Sequence, residues 1–134
     1  MRYPINQTNL QVIIKNSLAL AFLLLISCGQ GSILTNFDSQ KWQTDKDGCN
    51  NQRGALAEEI ISRKNELTGL GQQKITELLG TADRHELYSR NKKAFVYFIS
   101  GGPNCPKQLE KEVSKLVIRF DGIGRAKEFV LYNN

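Results

Sequence analysis

The sharpest constraint on this chain is a change of hydrophobic period near residue 80. Before it, apolar residues recur every three to four positions; after it, they alternate. In "GALAEEIISRKNEL" the stripe Leu56, Ile60 and Leu67, with Ala57 and Ile61 beside it, predicts one helix over residues 52–67. Asn50 or Asn51 is placed to cap it. Glu59 and Arg63 stand at i,i+4, a solvent-side pair. "LTGLGQQKITELLG" predicts a second helix over 71–79, with Ile75, Leu78 and Leu79 on its buried face. Gly71 takes its N-cap, and Gly80 the left-handed position just past its end.

Beyond Gly80 the pattern predicts strands at 85–89, 94–100, 115–121 and 125–133. "RNKK" and "GIG" read as turns, and 101–114 as a long loop. Phe95, Tyr97 and Ile99 are expected to pack under the helices. Leu116, Ile118 and Phe120 point inward, and Lys115, Val117 and Arg119 outward. Helices followed by consecutive antiparallel strands define an α+β domain: two helices packed on one face of a three- to four-stranded antiparallel sheet. Ahead of the helices, Phe37 and Trp42 are apolar plugs for the core. Asp45, Asp47 and Gly48 fail the calcium-loop pattern, which needs acids near Gln43 and Gly54, and read as a plain turn.

The N-terminus carries a different signal. Leu18 to Ile26 is an uninterrupted apolar run, shorter than the roughly 20 residues that span a bilayer. Its length suits a secretory signal core. Arg2 and Lys15 precede it, and residues 1–27 contain no acid. Leu25-Ile26-Ser27-Cys28 resembles a bacterial lipobox. That resemblance implies a diacylglycerol joined to the Cys28 thiol, cleavage before it and acylation of the new amine. Each buried lipid CH2 contributes about 0.8 kcal/mol, so three chains anchor permanently. The expected organisation is a signal at 1–27, a lipid-anchored tether at 28–36 and one domain at 37–134. Gly29, in place of an Asp after the lipidated Cys, favours the outer membrane, facing the periplasm.

With Arg2 and Lys15 removed, the net charge falls from +5 to about +3, too weak to argue for nucleic acid. Of the three cysteines, lipidation takes Cys28 and leaves Cys49 and Cys105. Outside the cytoplasm this pair reads as a disulfide, with two buried free thiols as the alternative.

Catalytic chemistry is thinly provided for. The single histidine, His85, lies near Asp83 and Glu86 and could pair with a reduced Cys105 as a nucleophile dyad, but a solvent-facing strand-end histidine is the commoner case. One His and two distant Cys fall short of a zinc set, so no cofactor or metal is expected. The reading is of a non-enzyme. Trp42, Tyr88, Tyr97 and Tyr132 are candidates for a contact surface. The 101–114 loop, with Lys107, Glu110, Lys111 and Glu112, is long enough to be functional.

"LTGLGQQKITELLGTADRHELY", then "FVYFIS", then "KLVIRFDGIGRAKEFVL" resembles the SmpA/OmlA (BamE-like) family of small outer-membrane lipoproteins. The likeness covers residues 67–132 and the lipobox. Gly71 stands where the family usually has Ser or Thr, and Thr81-Ala82-Asp83 where it usually has Gly-x-Pro. The resemblance implies the two-helix, three-stranded topology of β-lactamase-inhibitor-like domains. It also implies a scaffold or accessory role in outer-membrane protein assembly. The expected partners are the membrane, through the anchor at Cys28, and other envelope proteins. A periplasmic protein inhibitor or small-ligand binder of the same fold is the alternative.

Overall fold

The computed structural model describes residues 33–106 and 112–133. The signal at 1–27, Cys28, and Lys107, Glu110 and Lys111 of the expected loop lie outside the described residues. Helices come first: α1 is Ser39–Thr44, α2 Gly54–Ser62, α3 Lys64–Leu67 and α4 Gln72–Leu79, with a 3-10 turn at Lys46–Gly48. The strands follow: β1 Arg84–Tyr88, β2 Lys92–Ser100, β3 Ser114–Phe120 and β4 Ala126–Asn133. They form one antiparallel sheet in the order β1-β2-β3-β4. The molecule is thus α+β with a four-stranded sheet. Among the described residues, no helix is long and apolar enough to cross a membrane.

Three sequence expectations change. The helix expected across 52–67 is two helices, broken at Arg63 (φ −105, ψ 16). The Arg63 guanidinium spans the break: Nη1 donates to Glu59 at 2.9 Å, and Nε donates to Glu66 at 2.7 Å. The change of path still leaves Leu67 fully buried. Second, neither Asn50 nor Asn51 caps α2, whose N-cap position is Arg53. Instead the Asp45 carboxylate accepts from the N–H groups of Asn50 (2.8 Å) and Gln52 (2.7 Å), stabilising the turn that feeds the helix. Third, residues 33–36, read as tether, form a turn belonging to the compact unit that starts at Ile33. Leu34 is buried, and its N–H donates to Glu66.

Trp42 is the plug the sequence suggested. It sits on α1, which begins where the Asp38 side chain accepts from the Lys41 N–H. Trp42, Ala57, Ile60, Leu67, Ile75 and Leu79 form the helical side of the core. Phe95, Tyr97, Ile99, Leu116, Ile118 and Phe120 meet them from the sheet, as the alternation required. Val117 is on the outer face, as expected, and it is buried there. It joins Ala94, Val96 and Phe98 in a second small cluster, against which Tyr88, Val113 and Tyr132 pack.

Candidate functional site

The two ends of the sheet are built differently. At the end holding the β2–β3 loop, Cys49 and Cys105 form a disulfide, with Cα atoms 5.3 Å apart. The segment around Asp47 lies directly on the strand end. The Gly102 N–H donates to the Asp47 carbonyl at 2.9 Å. A Cβ on Gly48 (φ +64) would fall 2.4 Å from the Ile99 carbonyl carbon, so only glycine allows this approach. Asn104 Nδ2 donates to the Asp47 carboxylate at 3.1 Å.

Beside this clamp lies a buried ion pair that sequence reading did not reveal. Arg53 is fully buried, and the Asp83 side chain is 1% exposed. The guanidinium donates through Nη1 to Asp83 Oδ2 and to the Phe98 carbonyl, and through Nε to the Trp42 carbonyl. It lies 4.9 Å from the centroid of Trp42 and 5.9 Å from that of Tyr97, in the range of cation–π attraction. Asp83 also accepts from the Phe98 N–H (2.9 Å) and the Asp47 N–H (3.3 Å). These bonds join the N-terminal segment, the loop after α4 and strand β2 at one point. Tyr97 donates to the Gly80 carbonyl at 3.0 Å, and burial pushes its hydroxyl above the ordinary tyrosine range. Trp42 and Tyr97, offered by the sequence as contact residues, are therefore core.

The outer sheet face, opposite the helices, carries Tyr88 and Tyr132. Arg119 lies 5.6 Å from the Tyr88 ring and donates to Glu128 and the Tyr132 hydroxyl, each at 2.9 Å. Glu128 hydrogen-bonding holds the Arg119 pKa above the ordinary arginine value. Lys115 lies over Tyr132 and Arg84 over Phe98. Most of these aromatic faces are therefore already occupied by the protein's own cations.

The opposite end holds the β1–β2 turn and the β3–β4 turn, side by side. The helical layer does not reach over β1, so Leu87 stays 70% exposed on the strand's inner side; Ile123, in the β3–β4 turn, is 78% exposed. His85 stacks on Phe95, centroids 4.7 Å apart. With Gln72, Glu86, Leu87, Lys93 and Phe95 it lines an open recess of about 150 Å³. Cys105 is bonded to Cys49, so the dyad considered with His85 lacks its thiol. The surroundings are basic: Arg90, Lys92, Lys93, Arg125 and Lys127 against Glu86 and Asp121. Among the described residues Arg90, Lys92 and Lys93 have no acid within ion-pair distance. Asp121 is committed to its own turn, accepting from the N–H groups of Arg125 (2.9 Å) and Ile123 (3.0 Å). Those bonds, the Arg125 N–H first, hold its carboxyl below the usual range.

The sheet edges also differ. At the start of β4, the Gly69 N–H donates to the Ala126 carbonyl (2.7 Å) and the Ala126 N–H to the Leu70 carbonyl (2.8 Å). β1 pairs with β2 alone. Compared with known proteins, the chain matches no family model, no curated protein and no solved structure.

Proposed function

We propose that this chain is a lipid-anchored outer-membrane lipoprotein facing the periplasm, a non-catalytic scaffold or accessory subunit of the cell envelope. On this reading its role is similar to that of SmpA/OmlA proteins in β-barrel assembly. The observation that carries the reading is the asymmetry of the domain: a cross-linked, ion-paired end opposite an end that exposes Leu87 and Ile123 among unpaired cations. Exposed large apolar side chains within a basic surround suit a protein contact. The Leu25–Cys28 lipobox supplies the anchor, and a disulfide suits an oxidising compartment. In fold terms, α2 with α3 acts as the first helix and α4 as the second of a β-lactamase-inhibitor-like plan.

The test is cross-linking in native membranes followed by pull-down, together with intact mass of the extracted protein. Recovery of barrel-assembly components, and a mass reporting three acyl chains on residues 28–134, is the expected result. Recovery of no envelope protein, with intact barrels in a deletion strain, overturns the role; an unacylated mass overturns the anchor. The inhibitor or small-ligand reading draws on the aromatic and cationic outer face, and it predicts instead that Tyr132→Ala abolishes binding.

A further inference from the structure

We infer that the free edge of β1 is a docking site for an extended acidic segment of a partner protein, which adds to the sheet as a fifth strand and seats an apolar side chain in the recess beside Leu87. The inference rests on the scaffold reading and names the chemistry of its contact. Three observations converge on it. Among the described residues β1 has a strand partner on one side only, while the start of the other edge is closed by Gly69 and Leu70. An unpaired edge offers its N–H and C=O groups to any extended chain, and such pairing supplies affinity without side-chain specificity. Specificity comes from what flanks the edge. The recess, floored by the stacked rings of His85 and Phe95, has room for one aliphatic side chain, and Leu87 forms its rim. Lys93 lines the recess, and Arg90 and Lys92 lie in and next to the β1–β2 turn. None of the three has an acidic partner among the described residues, while Glu86, the acid in the lining, lies 3.7 Å from Arg84, so the incoming strand is complementary when it carries Asp or Glu toward the turn. A bilayer is the competing occupant, since Leu87 and Ile123 also protrude among cations, but a strand edge beside a concave recess suits an extended chain, and a vesicle-binding measurement separates the two.

The experiment uses the isotope-labelled full chain in detergent and a capped synthetic peptide of about six residues, a common strand length, alternating Glu with Leu. Binding is read from backbone amide shifts. The expected result is saturable shifts concentrated on residues 84–88 and 93. Affinity should fall about tenfold or more for the same peptide N-methylated along its pairing edge, and about tenfold for Leu87→Asp. Leu87 is largely exposed, so that variant keeps the fold, and an unchanged spectrum elsewhere checks it. A Lys-for-Glu peptide should bind more weakly, and added salt should weaken the acidic one. Absence of peptide binding, equal binding by the N-methylated peptide, shifts centred on the outer face, or binding to phosphatidylglycerol vesicles alone each overturns the inference. Failure here with envelope proteins still recovered by cross-linking removes the edge site and leaves the scaffold reading standing. Peptide binding with no envelope protein recovered does the reverse.

Discussion

The two ends of one sheet divide the work of this domain. At the β2–β3 end a disulfide, a glycine contact and a buried ion pair all bear on a few ångströms of backbone. At the hairpin end a similar number of charged residues face water, and two large apolar side chains are left uncovered. The same residue types thus have opposite energetic meaning. Arg53 is buried, and through it and Asp83 the N-terminal segment, the loop after α4 and strand β2 are hydrogen-bonded together; Lys93 is exposed, with no acidic partner among the described residues. The cross-link and the buried ion pair gather at one end, and the exposed apolar side chains at the other.

The comparison can be broken hardest at the ion pair. Asp83→Ala leaves the buried Arg53 guanidinium without its counter-charge and the Phe98 N–H without its side-chain acceptor, and should cost about 3–5 kcal/mol in urea unfolding. A loss below about 1 kcal/mol would mean that water reaches the site and that the two ends are alike. Next, replacing Cys49 and Cys105 together by Ser should cost about 2–4 kcal/mol, since the bridge closes a 56-residue separation. Gly48→Ala should cost about 1–3 kcal/mol through its positive φ and the clash with the backbone of Ile99 and Ser100. At the other end Leu87→Lys should change stability by no more than about 0.5 kcal/mol. A larger effect would place Leu87 in the core and erase the contrast.

The smallest effect concerns pH. Because the folded Asp121 carboxyl is held below its ordinary range, its contribution is present above that range and is lost as pH falls through the depressed value. Amide resonances of Ile123 and Arg125 should therefore move in acid, and Asp121→Asn should abolish that movement while the β2–β3 end stays unchanged.

Much of the architecture could be read in advance because it is periodic. Ile75 and Leu79, four apart, and Phe95, Tyr97 and Ile99, two apart, declare their elements and their buried faces. The break at Arg63 was hidden because the stripe continues through it and because the residue's own ion pairs hold both turns together. The burial of Val117 on the outer face was not legible, because alternation reports only which face a residue takes. It cannot report that the flanking Tyr132 packs against the cluster on that face. The ion pair was illegible for a different reason. Arg53 sits in "CNNQRG" and Asp83 in "GTADR", two polar stretches that look like surface, and their 30-residue separation leaves no local pattern to read. The disulfide was legible because cysteine count and compartment restrict the choices. The uncovered inner side of β1 was not, since it depends on where the helical layer ends.

The small clasp of Gly69 and Leu70 on Ala126 has a consequence for self-assembly. A sheet with two free edges can accept molecule after molecule and grow into a fibre. With the start of β4 already paired to Gly69 and Leu70, an incoming strand finds that stretch of the edge taken, whereas β1 carries no such cover among the described residues. The four-residue loop between helices, 68–71, thereby makes the two edges unequal for a protein whose proposed anchor would hold many copies on one crowded surface.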